Sequence, residues 1–405
     1  MPPPPAACLL TAAALLQASS GCSSLETADE TPGAEGGEPD GDVDPRTEAG
    51  PDDGGADADG AADPDSGPPT VTCTQSTCPV ETLYTNLYGP VSLAVNNTHL
   101  YWLEVGPTVS HPGGYGEVVR VAKTFACKTA SCFTIIDDTL FSGQLQGQNI
   151  YEAHLALGLN DVCYTQSFST NAEHSVRCFV LSSLARRAFD DGPGALIDLF
   201  VGATEARWVL ASTTASSADG QVRGRALTGS ALARTVAGGL RNPIGVASDG
   251  TKTYWTELGP ASPQGLVSTV GTDGGIQTLA TGRANPTGVR LHGQYLYWIE
   301  ASKKLIMRGR TDGTGAPEQI ATTDDNPADL VVDASGVYWI ASGIGSSGIA
   351  GSLSHAPLEP NGAITVMIQD INLVYALAAD TTHVYVASVG QMIADGQIVR
   401  IKKTR

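Results

Sequence analysis

The stretch NPTGVRLHGQYLYWIEAS (residues 285–302) repeats, with drift, the stretch NPIGVASDGTKTYWTELG (242–259) of the same chain. In both, Asn-Pro opens an apolar run and a Tyr-Trp pair closes it. Laying the Tyr-Trp sites over one another gives seven copies, with second positions at Trp102, Tyr164, Trp208, Trp255, Trp298, Trp339 and Val386. Nine residues before each marker stands an aliphatic: Leu93, Leu155, Leu199, Val246, Val289, Leu330 and Leu377. The second and third copies are degenerate, with Cys163-Tyr164 and Arg207-Trp208 in place of the pair.

Each copy reads as four short strands. The first follows Asn-Pro, because Pro is tolerated at a strand start and Asn favours the turn before it. The second carries Tyr-Trp. A third, such as KLIMRGRTDG (304–313), ends in an Asp-Gly hairpin signal, and a short fourth follows, as in EQIATT (318–323). Neighbouring side chains of a strand point to opposite faces, so Tyr297 and Trp298 need burial on both faces of one antiparallel sheet. A sandwich leaves one face wet, whereas radially stacked blades cover both. An all-β propeller of seven four-stranded blades is therefore expected over residues 71–405, with six blades as the alternative if the second and third copies merge. The last copy stops after its third strand, and CPVETLYTNLYG (78–89) has the layout of a fourth. Residues 80–88 should close the ring against 383–403.

The repeats resemble the YWTD family of β-propellers, a group of the lipoprotein-receptor-like and NHL-like type, across 80–403. Tyr254-Trp255-Thr256-Glu257 and Tyr297-Trp298-Ile299-Glu300 carry the resemblance. It implies extracellular binding of a protein or peptide on one propeller face.

The N-terminus points to export. Residues 6–18 form an apolar stretch of signal-peptide length, too short to span a bilayer. They lead into Ser19-Ser20-Gly21-Cys22, which resembles a bacterial lipobox, so residues 1–22 read as a lipoprotein signal with Cys22 as the lipidated residue. Residues 23–70 carry 15 Asp/Glu and one Arg, so they supply −14 of the net charge of −19. That stretch lacks the apolar surface to offset ordering entropy and reads as a disordered tether. Fully extended it would reach roughly 160 Å. The expected location is the bacterial cell envelope, on the outer membrane or cell surface through the lipid, with secretion as the alternative. No basic face speaks for nucleic acid, and a monomer is expected. The paired spacings Cys73/Cys78, Cys127/Cys132 and Cys163/Cys178 suggest three disulfides in an oxidising compartment. No His follows either Cys-x4-Cys as a zinc site would want.

Ten residues before each marker, at the start of each inner strand, stand Ser92, His154, Asp198, Gly245, Gly288, Asp329 and Ala376. They should ring one mouth of the central channel, which makes Ser92, His154, Asp198 and Asp329 the candidate ligand-binding residues. Alanine at the last three is expected to spare folding and weaken binding. Glu104, Glu257 and Glu300, two residues past their markers, should bond blade-edge amides or arginines such as Arg120 and Arg308. GIGSSG (343–348) leads to a strand and not a helix, so it reads as a loop and not a dinucleotide site. HPGGYG (111–116) reads as a flexible loop. No catalytic residue, metal ligand or cofactor stands out. The leading expectation is a lipid-anchored binding scaffold for a protein, peptide or glycan. The alternative is a lyase or lactonase with His154 as base and a divalent ion held by carboxylates at the mouth.

Overall fold

All seven markers lie in strands buried on both faces. The computed structural model describes residues 70–72, 78–105, 116–125, 129–140, 150–168, 173–214, 216–345, 348–389 and 395–403. In it Trp102, Trp208 and Trp255 are fully buried, and the other four markers are at most 2% exposed. Tyr101, Tyr254, Tyr297, Tyr338 and Tyr385, one residue earlier, are at most 1% exposed on the opposite face. Sheets with two dry faces must stack, and they do so as seven antiparallel blades. The six-blade alternative falls, because the second and third copies each build a separate sheet.

Blade 1 comprises Pro90–Val95, His99–Glu104, Gly116–Ala122 and Thr134–Leu140. Blade 2 has its inner strand broken into Ile150–Glu152 and Leu155–Leu157, followed by Asp161–Phe168, Glu173–Val180 and Arg186–Pro193. The inner strands of blades 3 to 7 are Leu196–Val201, Pro243–Ser248, Pro286–His292, Asn326–Asp333 and Val374–Ala379. Each inner strand touches the next, and the last touches the first, so the ring is closed. Val80–Leu87 supplies the outer strand of blade 7 by pairing antiparallel with Gly396–Lys402. A short strand, Thr70–Thr72, adds in parallel to the outer edge of blade 6 at Ile364–Val366.

The nine-residue spacing is a cross-strand contact. Leu93 faces Trp102, Leu155 faces Tyr164, Leu199 faces Trp208 and Val246 faces Trp255 in the ladder between inner and second strands. Leu330 and Trp339, and Leu377 and Val386, do the same. Such directly opposed pairs are the unit of sheet stabilisation. Asn-Pro has a backbone reason too. Gly89, Asn242 and Asn285, each just before a proline, have φ of 71°, 50° and 54°, a region that Gly and Asn tolerate best.

The polar tips of the aromatics are satisfied by a repeating device. In blades 4 and 7 an aspartate in the first hairpin, Asp249 or Asp380, accepts two backbone N–H groups with one oxygen. Its other oxygen accepts the phenol of Tyr254 or Tyr385, at 2.9 and 2.8 Å. Asp380 also receives Lys123 Nζ of blade 1 at 2.5 Å, across the closing seam. Burial pushes the Asp380 carboxyl up, but Lys123, two backbone amides and Tyr385 outweigh it, so its pKa falls below the usual range. A depressed carboxylate stabilises the fold above the unfolded value, near 3.9, and that stability is lost as pH falls through the folded value. Asp380→Asn should therefore lower the melting temperature at pH 7 and flatten the loss of stability below about pH 4. Thermal melts from pH 2 to 7 on both proteins check this.

Cys163 and Cys178 are disulfide-bonded across the second and third strands of blade 2, with Cα atoms 4.0 Å apart. Cys78 and Cys132 are disulfide-bonded as well, while Cys73 and Cys127 lie outside the described residues. Also outside them are Cys22, the signal segment, nearly all of the acidic stretch and 111–115. GIGSSG leads into a strand as expected, but it is not all loop: Gly343–Gly345 and Gly348 belong to the paired second and third strands of blade 6, while 346–347 lie outside the described residues.

Candidate functional site

Antiparallel pairing puts the start of each inner strand, the end of each second strand and the start of each third on one face of the ring. The loops between blades lie there. In blades 1, 3, 4, 6 and 7 the inner ladder skips the residue just before the position expected to ring the channel, as between Pro90 and Ser92 and between Pro327 and Asp329. Such bulges re-aim a side chain.

Here they turn it toward the neighbouring blade. Ser92 Oγ accepts the backbone N–H of Leu155 in blade 2 at 2.9 Å. Asp198 Oδ2 accepts that of Val246 in blade 4 at 2.9 Å, and its Oδ1 accepts that of Leu199 at 2.9 Å. Asp329 Oδ1 accepts the N–H of Leu330 at 2.8 Å. His154 lies between the halves of the broken inner strand, where its backbone exchanges bonds with Thr165 N–H and Oγ1.

A residue that the sequence reading passed over joins them. Arg290 of blade 5 donates from Nη2 to Asp329 Oδ1 at 2.9 Å, while its Nη1 lies 3.9 Å from Asp198 Oδ2. It thus bridges blades 3 and 6. The Arg290, Asp329 and Asp198 side chains keep 33%, 26% and 14% of their exposure, so the cluster is partly open to the channel. Burial holds the Asp329 carboxyl above its ordinary range, against the pull of Arg290 and Leu330 N–H, and the charge of Asp198 adds to the rise. His154 is near enough for its charge to act on the same carboxyl. His154, Asp198 and Asp329 therefore share one electrostatic neighbourhood, while Ser92 is engaged by blade 2. Among the described residues, no three His, Cys, Asp or Glu side chains group so as to hold a metal ion.

Two expectations change. Alanine at Asp198 would strip acceptors from two backbone amides and remove a charge facing the Arg290 guanidinium, so it would cost stability as well as binding. The glutamates past the markers do reach amides, and Glu300 also pairs with an arginine, Arg283 at 3.2 Å, but Arg120 and Arg308 are not their partners. Arg120 donates to Leu181 O, and Arg308 is held by Glu318 and Glu359. The missed partner is the adjacent indole. Glu104 Oε1 accepts Trp102 Nε1–H at 2.7 Å and Glu257 Oε1 accepts Trp255 Nε1–H at 2.9 Å, while Glu300 stands 3.5 Å from Trp298 Nε1.

No protein-family model and no curated protein sequence matches the chain. Solved structures do. Virginiamycin B lyase from Staphylococcus aureus aligns with a TM-score of 0.54 at 12% identity, over 81% of this chain and all of the other. A streptogramin B lyase aligns with a TM-score of 0.54 at 10% identity, over 80% of this chain and 98% of the other. A catalytically inactive virginiamycin B lyase with quinupristin gives 0.53 at 12%, over 81% and 99%. At these identities the likeness is one of fold.

Proposed function

We propose that the chain is an extracytoplasmic binding scaffold that receives a protein, peptide or glycan on the face carrying the inter-blade loops, with one group of the partner seated at the channel mouth. The supporting observation is the cluster of Arg290, Asp198, Asp329 and His154, drawn from four blades and partly open to solvent. Its two carboxylates meet one guanidinium, so it suits a hydrogen-bond donor such as a hydroxyl, an amide or an ammonium group. The YWTD-like repeats agree with extracellular ligand binding, though fold alone is a weak warrant. The lyase reading draws on the fold neighbours and on His154 beside Asp329. It asks for a divalent ion between carboxylates, and the Arg290 guanidinium already occupies the place between Asp198 and Asp329.

Peptide and glycan arrays probed with wild type and with His154→Ala and Asp329→Asn test the scaffold reading. Signals should fall about tenfold in the variants, equivalent to roughly 1.4 kcal/mol, while far-UV circular dichroism stays unchanged. Identical array profiles would remove the mouth from the binding surface. Attachment through Cys22 belongs to the same proposal. Cys22→Ser should move the expressed protein from the membrane to the soluble fraction of a bacterial host.

A further inference from the structure

Three of the tryptophan slots are closed by the chain's own carboxylate, and the slot of blade 6 is not. In blades 1, 4 and 5 the glutamate two residues past the tryptophan takes the indole N–H with one oxygen. With the other it takes the backbone N–H of the residue sixteen positions earlier, namely Tyr88, Arg241 or Ala284. Blade 6 has Ala341 where that glutamate would stand. Trp339 is 2% exposed, and among the described residues neither its indole N–H nor the matching amide of Asp325 has a hydrogen-bond partner. A cavity of about 300 Å³ lies against Trp339 and Ala341.

The other walls say what could enter. Asp324, Asp325 and Asp370 line the cavity, together with Ser352, Ser354 and Gln369, and no Lys or Arg does. In blade 5 the place of Asp324 is taken by Arg283, whose Nη1 lies 3.2 Å from Glu300. Blade 6 has thus lost both the internal acid and the basic group that faced it. A carboxylate ligand would meet the unpaired N–H groups but also three aspartates, against which the nearby cation is Lys304 alone, its Nζ held 2.6 Å from the Asp324 carbonyl oxygen and outside the cavity wall. An ammonium ion would suit the aspartates but not the N–H donors. A hydroxyl satisfies both, accepting from nitrogen and donating to carboxylate. The volume is at the lower end of small-ligand pockets, which run from about 300 to 1,000 Å³.

We propose that this slot, between blades 5 and 6 and off the channel axis, binds a neutral saccharide unit, one hydroxyl of which accepts the Trp339 indole N–H. The proposal stands apart from the channel-mouth reading and uses none of its residues.

Indole nitrogen–proton NMR tests it directly, because the chain has only five tryptophans. With the Trp339 peak assigned through Trp339→Phe, the full chain is titrated with glucose, galactose, mannose, N-acetylglucosamine and lactose. At least one should shift the Trp339 peak saturably and leave Trp102 and Trp255 in place. Gln369→Ala should weaken that response about tenfold. Ala341→Glu, which restores the internal carboxylate, should abolish it and raise the melting temperature. Parallel titrations use acetate and spermidine. No response of the Trp339 peak to any sugar at tens of millimolar overturns the proposal, and so does a response to acetate or spermidine alone. Because the primary readout is on the wild-type chain, a variant that fails to fold leaves it decisive.

Discussion

A chain that begins at Gly89 is expected to lose its cooperative unfolding transition and to aggregate, whereas one that begins at Thr70 melts as a unit. The strand Val80–Leu87 sits at the outer edge of blade 7, where an ion pair and a hydrophobic contact both hold it. Glu81 and Arg400 pair at 2.7 Å, but their side chains are 44% and 23% exposed. Such partly exposed pairs contribute about 0–1 kcal/mol. Leu83, Tyr84 and Leu87 are at most 4% exposed. At about 1.5–3 kcal/mol for each buried side chain, they contribute on the order of 6 kcal/mol. That matches much of a typical total stability of about 5–15 kcal/mol, so burial decides. Tyr84 also stacks on Trp102 of blade 1 at 5.5 Å and meets Phe133 edge-on at 5.3 Å, so its loss would unseat the next blade as well. The open edge of Gly396–Lys402 would then invite pairing between chains. Differential scanning calorimetry and light scattering of the two truncations check this. A synthetic peptide of residues 78–88 added in trans should recover part of the transition.

Glu257→Ala is the second large effect, with an expected loss of about 3–4 kcal/mol. Burying an unpaired donor costs about 1–3 kcal/mol, and this change orphans two: Trp255 Nε1–H and the Arg241 amide. Glu257→Gln keeps the size and one good acceptor but turns an NH₂ toward a donor, so it should lose roughly half as much. If the pair acts as a unit, Trp255→Phe combined with Glu257→Ala will cost less than the sum of the two single changes. Urea unfolding of the four proteins measures the coupling. Additive losses would mean that Glu257 serves the Arg241 amide alone.

The ring was readable from the sequence because burial on both faces of a strand leaves a dipeptide signature, and because cross-strand partners recur at fixed separation. Closure by residues 80–88 was readable for the same reason, as a strand without a blade beside a blade without a strand. The degenerate copies resisted for physical causes. At blade 3, Arg207 takes the tyrosine position, 6% exposed, bonding Glu205 and reaching Thr253 of blade 4 at 3.2 Å. A buried arginine thus does the work of a phenol. Arg290 escaped notice because it stands two residues past the channel column, at a position where the other copies carry no matching charge column to read. The blade 6 slot is marked by what position 341 lacks, which is invisible until the glutamates of blades 1, 4 and 5 are seen at their task. Another unread signal was the glycine opening several third strands. A Cβ at Gly220, Gly265 or Gly396 would lie 2.5, 2.3 or 2.7 Å from the proline that begins the adjoining blade.

The join between Val80–Leu87 and Gly396–Lys402 also sets a timetable. About 300 residues separate the two strands, and at about 5–20 residues per second the ribosome needs roughly 15–60 s to make them. Throughout that interval Leu83, Tyr84 and Leu87 have no final partner. The last blade can therefore be completed only after Gly396–Lys402 has been made, which leaves a window in which a chaperone or an export machine can hold the chain unfolded.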